Sequence, residues 1–255
     1  RTVLKLLKDL DENSGTGPDR LPARILKRCA AELALPVTLL SRKLLVDGRW
    51  PDCWRTHWVH AIHKRKSRAD AKNYRGVHLT AQLSKIVERA IGTVFIPWTE
   101  SNDLYGPNQY AYGKGKGYKD TLTVNVCNWL LEMEKGLLVG IYCSDVSGAF
   151  DRVDKDRLGQ KLRAKGLHPC VVAFLESWLE DRVAKVVMGG QQSPEEPLTD
   201  SVFQGTVLGP VLWNLFYEDA RHPVNGKNFR ETVFADDFNC WKVFPVKHTE
   251  VQECQ

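Results

Sequence analysis

No apolar run in this sequence reaches the roughly 18 residues that a bilayer-crossing helix needs, so no membrane partner is expected. Nor is there a basic start followed by an apolar stretch and a small-residue cleavage site, so no secretory signal is read. The seven cysteines are scattered, odd in number and never spaced Cys-x-x-Cys. That pattern argues against a disulfide framework and for reduced thiols in an intracellular compartment. The glycine-lysine stretch near residue 115 lacks the Gly-x-x-x-x-Gly-Lys-Ser/Thr form of a phosphate loop. An initiating Met is also missing, since the first residue is Arg, and a fragment of a longer chain is expected.

Neither sign of charge dominates. Thirty-six Lys and Arg face 31 Asp and Glu, a net charge of +5, and the 43% hydrophobic content over 255 residues is ample for a sizeable core. The distribution says more than the total. Between Arg55 and Arg75 stand seven basic residues and one acid, Asp70, so this segment alone carries +6. A local basic block invites phosphate, although a solvated loop would have the same composition.

Pro22 is expected to open a helix through Ile25, Leu26, Cys29 and Leu33, and Pro36 a second that ends near Gly48. His57, His60 and His63 recur every third residue. That is not the i, i+4 helical pair of a metal site, and a strand with mixed faces is the better reading. Asn108–Asp120 alternates glycine and lysine between tyrosines, which suits a nucleic-acid contact or simply a surface loop. Leu137–Cys143 is a near-continuous apolar run, read as a centrally buried strand ending at Asp145. Asp154 and Pro169 mark two helix starts, Val183–Met188 a strand, and Pro210 a third helix start just after Gln204-Gly205. Glu231–Phe244 reads as a hairpin with Asp236-Asp237 at its tip. Two adjacent carboxylates there mark either a wet turn or half of a cation site.

The order of these features carries more than any one of them. Asp145 lies in Asp-x-x-x-x-Phe-Asp, ending at Phe150 and Asp151. VFQGTVLGPVLWNLF follows from Val202, and FADD from Phe234. These resemble, in order, the first palm motif, the Gln-Gly motif and the paired-aspartate hairpin of reverse transcriptases. The upstream WRTHWVHAIHKRKSRADAKNYRGVHLTAQLSKIVERAI resembles the fingers of the non-LTR (LINE-like) retrotransposon branch, and GPDRLPARILK and NQYAYGKGKGYKD its neighbouring blocks. The resemblance runs from about Gly17 to Val243.

It implies an α+β right-hand polymerase fold whose antiparallel palm sheet has helices on one face. The expected division is a helical lead-in over 1–48, a fingers-like region over 49–136 and a palm over 137–255. Only 18 residues follow Asp237, so a thumb is expected to be missing, and no endonuclease is expected within these residues. The implied activity is RNA-directed DNA polymerase, with an RNA template, a DNA primer and deoxynucleoside triphosphates as partners. The nucleus is the compartment the resemblance implies.

Nucleotidyl transfer explains the residue types. Two divalent cations roughly 3.5–4 Å apart can activate a 3′-hydroxyl and stabilise the leaving oxygens. Mg²⁺ (or Mn²⁺) takes a few carboxylates together with waters and phosphates. Asp145 and Asp236 are the expected principal ligands, with Asp237 completing the site. By the same resemblance, Phe150 would exclude a ribose 2′-hydroxyl, and Lys64 (or Arg65) and Arg75 would hold the triphosphate. Gln204 and Gly205 would lie against nucleotide and template. By their charge alone, Arg65, Lys66, Lys114 and Lys116 are expected to touch nucleic acid. The sequence departs from the family at Gly76, Val77 and His78, where Pro-Ile-Ser is usual, at His63 and at Phe234. Those departures leave open an alternative, a nucleic-acid-binding remnant without catalysis.

Overall fold

The computed structural model describes residues 1–199, 202–224 and 226–245. Residues 246–255 of the expected palm, and Asp200 and Ser201 ahead of the Gln-Gly motif, lie outside the described residues. In chain order the helices are α1 (Thr2–Lys8), α2 (Ala23–Arg28), α3 (Ala30–Asp47), α4 (Gln82–Ser101), α5 (Tyr118–Glu134), α6 (Lys155–Ala164), α7 (Pro169–Leu179) and α8 (Gly209–Tyr217). The strands are β1 (Thr56–His63), β2 (Tyr74–Leu79), β3 (Leu138–Ser144), β4 (Arg182–Met188), β5 (Gln191–Gln192), β6 (Glu196–Leu198), β7 (Arg230–Phe234) and β8 (Asp237–Phe244).

Two compact units interleave along the chain: Arg1–Trp98 with Phe150–Leu212, and Thr99–Ala149 with Trp213–Gln255. They do not follow the contiguous division at residues 48 and 136. In the first unit, β1 pairs antiparallel with β2 and parallel with β4, in the order β2-β1-β4-β5, and β6 pairs with β4. Its core gathers Trp50, Phe174, Trp178 and Phe203, all fully buried. Several helix ends follow their sequence signals. The Asp154 carboxylate accepts the Arg157 N–H at 2.7 Å ahead of α6, Pro169 opens α7, and Gly48 closes α3 at φ 60°.

Pro36 does not start a helix. It sits inside α3, whose first residue is Ala30. Only Cys29 separates α2 from α3, so the helical path is nearly continuous and Pro36 merely deletes one backbone donor from it.

The second unit is built on an antiparallel three-stranded sheet in the order β3-β8-β7. Helix α5 lies on one face, where Asn125 and Thr232 exchange hydrogen bonds at 2.8 and 3.0 Å. On the other face, Val233, Phe238 and Cys240 are buried against Tyr217, Val224 and Phe229. The expectation of a centrally buried β3 is overturned. Among the described residues β3 is an edge strand that pairs with β8 alone, and Ile141 and Tyr142 are 45% and 61% exposed. An apolar run says that a strand favours cover; it does not say that the fold supplies it.

Candidate active site

The acids converge in the second unit from two places in the chain. Asp145 is the first residue beyond β3, and Ser144 pairs with Phe238, so the chain leaves the sheet beside the start of β8. Phe234 pairs with Asp237, which makes Ala235-Asp236 a two-residue hairpin turn. Ala235 turns at φ 57°, a region that glycine adopts freely and alanine does not. The turn is held by Gln109. Its side-chain oxygen accepts the Ala235 N–H at 3.1 Å and the Ala111 N–H at 2.9 Å, and its amide nitrogen donates to the Ala235 carbonyl at 3.5 Å.

The three carboxylates are not equivalent. Asp236 lies within hydrogen-bonding reach of Asp145. Its pKa is raised, first by burial and then by the charges of Asp145 and Asp237 and that hydrogen bond, against a lowering pull from its own backbone N–H. Asp237 is raised by burial and by Asp145. Asp237 shares the α5 face with Phe234 and Asn239, and lines there a cleft of about 400 Å³ together with Asp145, Asn125 and Tyr118. Asp236 instead neighbours Tyr217, whose hydroxyl pKa is raised by burial and then by Asp236 and Asp145. Adjacent residues at the start of a strand diverge, and Asp145 is the acid that both of them meet.

The donor set is carboxylate oxygen, which suits Mg²⁺ or Mn²⁺. The raised carboxylates of Asp236 and Asp237 are what a bound cation would relieve. Among the described residues no group of three or more His, Cys, Asp and Glu stands ready to hold an ion by itself. The residues therefore fit a divalent ion as the Asp145–Asp236 pair, with Asp237 alongside and the remaining ligands left to water and substrate oxygens.

The other expected site residues lie in the first unit, apart from Lys114 and Lys116. Lys64 follows β1 directly, its N–H donating to the Asn73 carbonyl at 2.8 Å to close the β1–β2 hairpin. Arg65 and Lys66 extend into that hairpin loop, and Arg75 is exposed on β2 opposite Ile62. The Lys64 charge pulls down the pKa of Asp151, which burial raises. Phe150 is buried, and its carbonyl accepts the Val202 N–H at 2.9 Å. Gln204 is joined to β2 through its carbonyl, which accepts the His78 N–H at 2.8 Å. Gly205 has φ 92°, and a Cβ there would meet Val77 Cγ1 at 2.9 Å and the His78 carbonyl at 3.0 Å. The close approach that requires glycine is thus made to β2 itself. Lys114 is exposed, with its backbone N–H donating to Glu100 at 3.3 Å. Lys116 is tied into its own loop, donating to the Pro107 and Gln109 carbonyls at 3.2 and 3.4 Å.

Sequence reasoning missed Gln109 and Tyr217. Gln109 stood within the quoted block NQYAYGKGKGYKD, where the glycines, lysines and tyrosines carried the reading. Nothing local announces a side chain whose partner lies 126 residues away.

The reverse transcriptase (RNA-dependent DNA polymerase) family model matches residues 62–254. The RNA-directed DNA polymerase from mobile element jockey of Drosophila melanogaster is 30% identical over 85% of this chain and 24% of its own length. The probable RNA-directed DNA polymerase from transposon X-element of the same species is 27% identical over 92% of this chain and 26% of its own length. The chain thus spans about a quarter of the length of the curated relatives it matches. Among solved structures, an apo telomerase from Candida tropicalis, truncated from its C-terminal domain, superposes with a TM-score of 0.53. It is 12% identical, over 79% of this chain and 45% of that one. That likeness shows the α+β right-hand polymerase fold. With the family model covering most of its length, this chain belongs to the reverse transcriptase family.

Proposed function

We propose that this chain carries the nucleotidyl-transfer centre of the RNA-directed DNA polymerase of a non-LTR retrotransposon. The observation that carries the proposal is the meeting of Asp145 and Asp236, from the end of one strand and the turn of a hairpin, in a member of this family. Asp145 and Asp236 would hold the divalent cations, with Asp237 completing the site. When bound, Mg²⁺ or Mn²⁺ supplies the Lewis acidity that activates a primer 3′-hydroxyl and stabilises the departing pyrophosphate. The partners in this reading are an RNA template, a DNA primer and deoxynucleoside triphosphates, and the compartment it implies is the nucleus.

Lys64 and Arg75 take the triphosphate as exposed cations of the β1–β2 hairpin. Phe150 excludes the ribose 2′-hydroxyl, and its burial keeps the ring from yielding. Gln204 and Gly205 present the backbone of a loop that β2 holds in place. Arg65, Lys66 and Lys114 offer charge to nucleic-acid backbone, and Lys116 does so to a smaller extent because its ammonium is already shared by two carbonyls. The expected division into a lead-in over 1–48, fingers over 49–136 and palm over 137–255 enters this reading as a functional one. The departure at His78 has a structural place, in a buried contact with His57.

The test is primer extension on an RNA template with Mg²⁺, the chain being expressed with whatever flanking sequence its reading frame carries. Extension that disappears in Asp236→Ala supports the proposal. Extension that survives the paired change Asp236→Ala and Asp237→Ala refutes it. Salt-sensitive RNA binding without any extension would favour the non-catalytic remnant instead.

A further inference from the structure

Residues 108–111 form a short outer edge on β7. The Val233 N–H donates to the Asn108 carbonyl at 2.9 Å, and the Tyr110 N–H donates to the Val233 carbonyl at 2.9 Å. Gln109 and Val233 form a parallel bridge between these bonds. This edge ends where the sheet's own ladder ends, at the Phe234–Asp237 pair. The turn beyond it has no further ladder to hold it. Gln109, buried to all but 7%, reaches past the end of the ladder and pairs with both backbone polar groups of Ala235. It does for the turn what another strand would do, at the residue whose left-handed φ costs alanine most. The same oxygen accepts the Ala111 N–H, which anchors the clamp in its own loop.

We propose that Gln109 is a positioning residue for the aspartate hairpin. It fixes the left-handed turn at Ala235, and so sets where the Asp236 carboxylate stands relative to Asp145. Gln109 does not touch reacting atoms; it acts through the Ala235 peptide. The catalytic part of the inference rests on the role proposed for Asp236, whereas the clamp itself does not.

The decisive variant is Gln109→Met, which keeps the buried volume and removes both polar ends. Hydrogen exchange, read by mass spectrometry on the 255-residue chain, tests the clamp without any polymerase activity. Exchange at the Ala235–Asp237 amides is expected to accelerate about tenfold or more, while β3 and α5 keep their protection. Unchanged exchange at the turn, or acceleration spread evenly over the second unit, overturns the clamp. Gln109→Asn is the companion variant should the methionine form fail to fold. Its shortened amide can still meet Ala111 but not Ala235, and the same local acceleration is expected.

In primer extension, kcat is expected to fall on the order of a hundredfold, the scale of a misplacement of about 1 Å, with KM for the nucleotide nearly unchanged. A rise in KM at unchanged kcat would overturn the positioning role. If the unsubstituted protein itself extends no primer, the function proposed above fails, and hydrogen exchange alone decides the clamp.

Discussion

The two units each concentrate ionisable side chains, and they do so in opposite ways. The first unit buries a basic chain. Arg182 is 1% exposed, and its guanidinium lies over the rings of Trp50, Trp178 and Phe203 at 5.1–5.3 Å. It donates to the carbonyls of Trp178 and Trp54 at 2.6 and 2.9 Å and to His57 Nε2 at 2.7 Å. An arginine can only donate, so His57 carries its proton on Nδ1 and passes a hydrogen bond to His78 Nδ1, 3.0 Å away. Glu88, fully buried, balances the charge, and its carboxylate accepts the Val207 N–H at 3.0 Å. In the second unit, Asp145 meets both Asp236 and Asp237, and each of the latter two is raised by burial and then by the Asp145 charge. A buried group whose partners are supplied by the fold is structure. A group that the fold leaves facing its own kind is where a ligand is expected.

The largest effect should come from making the second cluster resemble the first. Asp236→Asn keeps shape and removes one repelling charge. Extension should fall on the order of a thousandfold or more, because a cation ligand is worth several kcal/mol of transition-state stabilisation. The same variant should melt higher, since a raised carboxylate weakens the fold at neutral pH. Loss of activity together with unchanged or lower melting would break the contrast. Asp237→Asn, on the other face of the sheet, should cost less activity than Asp236→Asn, and an equal loss would place both acids in one cluster.

The reverse experiment injures the first cluster. Arg182→Met leaves Glu88 buried without its compensating charge and strands two carbonyls. It should cost roughly 3–5 kcal/mol in urea unfolding. A loss under about 1 kcal/mol would mean that the cluster is ornamental to the fold. Here the limits of the sequence are plain. Asp145, Gln204-Gly205 and Asp236-Asp237 were legible because their residue types are rare in such positions and their order is specific. Asp154, Pro169 and Gly48 were legible because caps act within a few residues. Arg182 and the buried histidines were not, because an arginine at a strand start and a strand with mixed faces look alike whether wet or dry. Gly205 was legible as a close approach, but not what it approaches. Pro36 read as a start because proline usually is one, and nothing local shows that α3 already runs.

Acid should separate the clusters by sign. His78 is lowered to about 4 by burial and then by Arg182, and His57 is lowered well below its usual value by burial, Arg182, His78 and Lys85. Below pH 6.5 the unfolded histidines bind protons that the folded ones refuse. Their stabilising contribution is therefore complete above that pH and is lost as pH falls toward 4, by on the order of 3 kcal/mol for His78. Asp236 and Asp237 run the other way. Their raised values mean that they weaken the fold most at neutral pH and cease to do so as pH falls through the folded pKa. Unfolding followed at pH 7.5 and 5 should show a net loss on acidification that His78→Gln reduces. Added Mg²⁺ should stabilise at pH 7.5, and less once pH falls through the raised pKa values of these acids. Stabilisation by Mg²⁺ that never declines on acidification would mean that the ion does not compete with protons for these acids.

The smallest effect tests a residue that belongs to neither cluster. Phe150 follows Asp145 by five positions, yet it is grouped with the first unit, where its ring is buried and its carbonyl is tied to Val202. A buried ring can act as a wall, because a side chain that cannot retreat excludes a hydroxyl by contact alone. Phe150→Val shortens the wall and opens a cavity. Apolar shape discrimination of this kind is worth about 1–3 kcal/mol, so preference for deoxynucleotides should fall by about 10- to 200-fold. The cavity should also cost about 1–3 kcal/mol of stability. The two effects separate the readings of Phe150. A stability loss with unchanged sugar selection would make it a core residue of the first unit and nothing more. Relaxed selection in protein that still folds would support the role proposed for Phe150.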